Sequence, residues 1–136
     1  MADYEADRED ICRIRFTVFV YEQQVPEELE MDDDDPRCVH VLAFNDDAPV
    51  GTGRIDLTKA GKIGRVAVLA EQRSQGAGIA LMTALHTIAQ EHRLTDVWCN
   101  AQITAQPFYE KIGYRVTSTQ PFDEAGIPHV RMQKSL

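Results

Sequence analysis

Arg73-Ser74-Gln75-Gly76-Ala77-Gly78 is the stretch of this sequence with the plainest chemical capacity. Gly76 and Gly78 let the backbone come close to a ligand, and an apolar run follows in which Ile79, Leu81, Met82, Leu85 and Ile88 recur at helical spacings. Upstream, Ile63, Val66, Ala67, Val68 and Leu69 read as a buried strand, so a strand enters a helix through a glycine-bearing turn. The unpaired amides of the helix's first turn, with its dipole, attract phosphate. The stretch from Gly76 to Ala80 lacks the Lys-Ser/Thr pair of a nucleotide P-loop, which argues against specific ATP binding.

The rest of the chain must position that turn. With 136 residues and 43% hydrophobic content, residues 1–136 are expected to form a single domain with one site. Cys12, Cys38 and Cys99 are odd in number and show no metal-like spacing, so free thiols and no metal site are expected. The N-terminus lacks the basic and apolar regions of a signal peptide, and no apolar run approaches the roughly 18 residues needed to span a membrane. These features lead to the expectation of a cytoplasmic protein. A net charge of -8, from 22 acidic and 14 basic residues, disfavours nucleic acid and anionic lipid and favours a cationic or amine-bearing partner.

In chain order, Ile11, Ile14, Val18 and Tyr21 share one face of a helix predicted over residues 7–22, widened by Cys12, Phe16, Phe19 and Val20. Pro26, seven acidic residues within positions 27–35 and then Pro36 predict a surface loop. Strands over 39–44, 49–57 and 62–69 form an antiparallel meander, with turns at Asn45-Asp46-Asp47 and Lys59-Ala60-Gly61. A helix over 76–91 and a strand over 96–100 follow as a parallel crossover, so the sheet is mixed. A short helix from Pro107 to Lys111 ends at Gly113, and strands near 114–118 and 129–133 finish the chain.

With these elements in order, the chain resembles the GNAT superfamily of N-acetyltransferases. Arg73 to Gly78 matches that family's acyl-CoA motif, Arg or Gln, two residues, Gly, one residue, then Gly or Ala. Pro107-Phe108-Tyr109-Glu110-Lys111-Ile112-Gly113-Tyr114 resembles its second landmark, about thirty residues downstream. A small bacterial subgroup of acetyltransferases is also similar in Val18-Phe19-Val20-Tyr21-Glu22-Gln23, Asn100-Ala101-Gln102 and Gly126-Ile127-Pro128-His129. The resemblance implies an α+β fold with a central mixed, mostly antiparallel sheet flanked by helices. It departs at the start, where few residues precede the first helix and the family's first strand is expected to be short or missing.

The activity implied is transfer of an acetyl group from acetyl-CoA to an amine in one ternary complex. Ser74, Gln75, Gly76, Ala77, Gly78 and Ile79, with Arg73, are then expected to cradle pyrophosphate, and backbone at Val66, Ala67 and Val68 to hold the pantetheine arm. Asn100 and Phe108 are further cofactor contacts by the same resemblance. A lysine-like amine lies about 4.6 kcal/mol from its neutral form at pH 7, so a base or a desolvating pocket is required. Glu22, His40 and His129 are the candidates, and the sequence leaves the choice among them open. Tyr109 matches the family's general acid, and an unperturbed phenol pKa of about 10, near a thiol's roughly 8.5, suits proton exchange with the departing sulfur. By family analogy residues 27–35 border the acceptor, and their carboxylates are expected to attract a cationic amine. A homodimer is a further expectation from relatives. A non-catalytic acyl-CoA sensor of the same fold is the alternative.

Overall fold

The computed structural model describes residues 4–24, 35–73, 76–118 and 120–136, the side chain of Glu5 excepted. The expectation of a short or missing first strand concerns the residues ahead of α1 (Tyr4–Arg15), of which 1–3 lie outside that description. The helix predicted over residues 7–22 is divided. After α1 the backbone widens into a π-helical segment, Phe16–Glu22, closed by a hydrogen bond of 3.1 Å from the Gln23 N–H to the Val18 carbonyl. Thr17, Val18 and Val20 are β-branched and weaken the preference for a tight α-turn. Ile14 and Val18 are buried here against Ala67, with Phe19, Leu42 and Leu69 at the margin.

Asp35, the described member of the acidic run, departs from the expected solvated loop. Residues 27–34 lie outside the described residues, but the Asp35 side chain is fully buried, opening a 3-10 turn at Asp35–Arg37. Its Oδ1 accepts from Arg15 Nη1 at 2.7 Å and from Arg54 Nη1 at 2.6 Å. Burial pushes the carboxyl pKa up, but the hydrogen bonds and charges of the two guanidinium groups outweigh it and hold the pKa below the ordinary value. His40 Nε2 donates to the Asp35 carbonyl at 2.8 Å, which fixes the ring. This ionic knot joins the first helix to the sheet.

The meander consists of β1 (Val39–Asn45), β2 (Ala48–Asp56) and β3 (Lys62–Val68), paired antiparallel in that order. Then come α2 (Ala77–Glu91), β4 (Asp96–Gln102), α3 (Gln106–Lys111), β5 (Arg115–Val116), β6 (Phe122–Glu124) and β7 (Ile127–Ser135). The sheet runs β1-β2-β3-β4-β7-β5, with β6 also on β7; β3 and β4 are parallel and every other pair is antiparallel. The fold is α+β with a mixed, mostly antiparallel sheet. The predicted strand at 114–118 shrinks to two residues, and β6 is absent from the sequence reading.

One face of the sheet carries the main core: Ile55, Ile63, Val97, Cys99 and Met132 pack against Leu81, Leu85 and Ile88 of α2. Close approach of α2 depends on glycines in β2. A Cβ at Gly51 would meet Leu81 Cδ1 at 3.0 Å, and one at Gly53 would meet Leu85 Cδ1 at 3.1 Å. The opposite face carries α1 over β1, β2 and β3. Among the described residues, α1 makes no extensive contact with β4 or β7.

Candidate active site

The centre of the sheet is split by one inserted residue. Between β2 and β3 the register slips, Thr52 pairing with Ala67 and Arg54 with Gly64, so β3 carries one residue more than its partner. Arg65 takes up the excess in a left-handed conformation (φ 51°), a bulge that bends the strand. β3 and β4 pair only at Lys62–Trp98 and Ile63–Cys99, and beyond that point they part around a cleft of about 1010 Å³. Val66, Ala67, Val68, Asn100, Phe108 and Tyr109 all line it.

The backbone inside the cleft can be oriented from one bond. The Leu69 N–H donates to the Val50 carbonyl at 2.9 Å, facing β2, so the N–H and C=O of Val68 point the other way, into the gap. The Val68 carbonyl accepts from Arg73 Nε at 3.0 Å, while its N–H remains to meet a ligand. The alternation gives Val66 the same direction, whereas Ala67 turns its methyl toward α1. Asn100 faces this edge from β4, and its buried Oδ1 has no hydrogen-bond partner among the described residues. A buried acceptor in that state marks a place for a donor.

At the end of the cleft, Gly76 holds φ 86° and opens α2 without a side-chain cap, leaving the amides of Ala77, Gly78 and Ile79 outside the helix ladder. A Cβ at Gly78 would lie 3.3 Å from the Phe108 ring, so the glycine lets Phe108 close the wall. Ser74 and Gln75 lie outside the described residues. The unpaired edge, the orphaned Asn100 acceptor and the uncapped glycine turn offer backbone donors and one side-chain acceptor along a single cleft.

The ionisable candidates separate clearly. Tyr109 is buried on α3, with ring contacts to Phe108 and Tyr114, and its hydroxyl makes no hydrogen bond among the described residues. Burial, and secondarily Cys99, raise its pKa well above that of a free phenol. The near-match to a thiol expected from an unperturbed tyrosine is therefore lost. Burial also pushes the Cys99 thiol up to about 12, which keeps it protonated and unsuited to nucleophilic attack. Glu22 lies beside the cleft in a two-pronged ion pair with Arg73, and this hydrogen bonding holds its pKa below the ordinary value despite some opposing burial. His40 is not brought to the cleft; it is buried in the ionic knot, stacked on Tyr4, and burial lowers its pKa.

His129 does line the cleft. Its Nδ1 lies 2.6 Å from the Ile127 carbonyl, which can only accept, so Nδ1 carries a proton and Nε2 is the nitrogen that offers a lone pair when the ring is neutral. Glu124 Oε2 stands 3.6 Å from Nε2, and Phe122 stacks on the ring. A further link is missing from the sequence reading: Gln102 Nε2 donates to Gln23 Oε1 at 2.7 Å, carrying the π segment across to β4. Strand alternation puts Asn100 and Gln102 on one face, but their partners depend on tertiary structure. Among the described residues there is no cluster able to hold a metal and no helix long and apolar enough to cross a membrane.

The family model for the acetyltransferase (GNAT) domain matches residues 3–136. The chain belongs to the GNAT acetyltransferase family. Among its GNAT relatives, the uncharacterised N-acetyltransferase YjcF of Bacillus subtilis is 40% identical over 135 residues, covering 98% of this chain and 96% of that one. An acyl-CoA N-acyltransferase of known structure from Pseudomonas aeruginosa is similar at 29% identity and TM-score 0.79, covering 92% and 88% of the two chains. A GNAT acetyltransferase from Elizabethkingia anophelis, solved with acetyl-CoA bound, shares the fold at 20% identity and TM-score 0.67, covering 82% and 84%.

Proposed function

We propose that this chain moves the acetyl group of acetyl-CoA to a primary amine by direct attack within a ternary complex. The observation that carries the reading is the parting of β3 and β4 at the Arg65 bulge, which leaves the Val68 N–H and Asn100 Oδ1 facing one cleft. The acetyl-CoA-bound relative supports the choice of donor. Bound there, acetyl-CoA would supply an activated thioester. Ala77, Gly78 and Ile79 hold phosphate oxygens with backbone amides, and Asn100 accepts from an amide of the pantetheine arm.

The remaining residues divide the proton work. His129 Nε2 takes the proton from the incoming ammonium, directly or through water, and Glu124 stabilises the imidazolium that results. The Val68 N–H donates to the acetyl oxygen as negative charge builds on it. Tyr109, protonated at every working pH, donates a hydrogen bond to the departing sulfur. Full proton transfer from so weak an acid is uphill, so its contribution is mainly stabilisation of thiolate. Glu22 is less suited to the base role because Arg73 occupies its carboxylate. The inert Cys99 thiol favours direct attack over an acetyl-cysteine relay.

Calorimetric titration with acetyl-CoA, CoA and ATP tests the donor. Binding of the first two and not the third is expected; equal binding of ATP contradicts the reading. His129 and Tyr109 in the cleft wall favour turnover over a sensor that only binds acyl-CoA.

A further inference from the structure

Trp98 stands between two cations. Lys62 Nζ lies 5.4 Å from its ring centroid and Arg131 Cζ lies 4.3 Å from it, one from each strand flanking β4. The ring itself is fixed, because its Nε1 donates to the Lys59 carbonyl at 2.9 Å. Neighbouring Ile63, Val97 and Cys99 point into the α2 core, so strand alternation puts Lys62, Trp98 and Arg131 on the opposite face. On this face α1 covers β1, β2 and β3 but makes no extensive contact with β4 or β7 among the described residues.

The stack adjoins the proposed reaction centre. Lys62 lines the cleft at the point where β3 and β4 separate, and Arg131 is the register partner of Asn100. Charge then distinguishes these two cations from their neighbours. Arg54 is paired with Asp35 and Arg73 with Glu22, whereas neither Lys62 nor Arg131 meets a carboxylate among the described residues. In a chain of net charge -8, two cations flank one aromatic ring, and although Asp56 is the register partner of Lys62, neither cation has a carboxylate within ion-pair distance among the described residues. Such a pair, pre-positioned by the ring, is a receptor for anionic oxygens.

We propose that the acceptor carries, besides its amine, a carboxylate or phosphate group that Lys62 and Arg131 hold beside Trp98. The proposal rests on the acetyl-transfer reading and names its substrate class. It also departs from the expectation that the acidic run selects a cation, since Asp35, the described member of that run, is consumed internally by Arg15 and Arg54. The amine would enter from the open face with its anionic end anchored at the stack and its nitrogen directed toward the parting of the strands.

Trp98 is the only tryptophan in the sequence, so its fluorescence reports on the stack. The CoA-saturated chain is titrated with matched probes: α-amino acids against their carboxamides, and phosphoethanolamine against ethanolamine. The anionic member of at least one pair is expected to perturb Trp98 emission at no more than about a tenth of the concentration its neutral partner needs. Lys62→Gln with Arg131→Gln should reduce that preference below threefold and leave acetyl-CoA affinity unchanged. Equal responses within every pair, no response to any anionic probe, or a preference that survives both substitutions overturns the proposal. Thiol release with neutral amines and no anion preference overturns it while sparing the acetyl-transfer reading. Anion-dependent quenching without thiol release from any amine overturns that reading instead.

Discussion

Arg73 and Glu22 form a two-pronged ion pair, with Nη1 2.5 Å from Oε1 and Nη2 2.8 Å from Oε2, that ties the glycine turn to the end of the π segment. Both side chains are more than a third exposed, so the pair adds little to stability; its effect is to occupy the carboxylate. Loss of a general base lowers turnover roughly 10²- to 10⁴-fold. Glu22→Gln is expected to fall far short of that and to keep the pH-rate profile, whereas His129→Gln should approach it and lose one limb of the profile. Steady-state kinetics of both variants across pH assigns the base, and the reverse pattern gives the role to Glu22.

Tyr109 makes a second prediction through its hydroxyl. Tyr109→Phe removes only the oxygen from a buried ring, so the packing with Phe108 and Tyr114 should persist. Turnover is expected to drop by about 10²-fold, with acetyl-CoA affinity within threefold of the parent. Unchanged turnover with every accepted amine would remove Tyr109 from the chemistry.

Much of this architecture is legible in the sequence, because local rules govern it. The meander follows from turn residues such as Asn45-Asp46-Asp47 and Lys59-Ala60-Gly61, and the β3-α2-β4 crossover from apolar periodicity and connection length. Other features depend on tertiary partners. Arg65 has no intrinsic reason to adopt positive φ, and only the pairing of β3 with β2 forces it there. Asp35 has the same local surroundings as the acidic residues before it, yet Arg15 and Arg54, distant in sequence, draw it inside. The candidate residues Tyr109, His129 and Asn100 do meet in one cleft, while His40, equally plausible by residue type, belongs to the ionic knot.

That knot makes stability depend on acid. His40 has a pKa lowered from 6.5, so the unfolded chain binds its proton first; this contribution is complete above about pH 6.5 and declines as pH falls through that value. Asp35, its pKa also held below the ordinary 3.8, contributes a further loss once pH falls below about 3.8. Thermal unfolding should therefore begin to shift downward between pH 7 and 5, and His40→Asn should flatten that first slope. Asp35→Asn removes the buried negative charge shared by Arg15 and Arg54 and is expected to destabilise by about 3–5 kcal/mol at neutral pH. A Tm independent of pH from 7 to 5 would contradict the neutral, buried His40.

The most direct test of the central claim is release of free CoA thiol from acetyl-CoA by the purified chain across a panel of primary amines. Amine-dependent, saturable release that His129→Gln and Tyr109→Phe each reduce by about 10²-fold is the predicted result. Acetyl-CoA binding with no amine-dependent release from any member of the panel would contradict it.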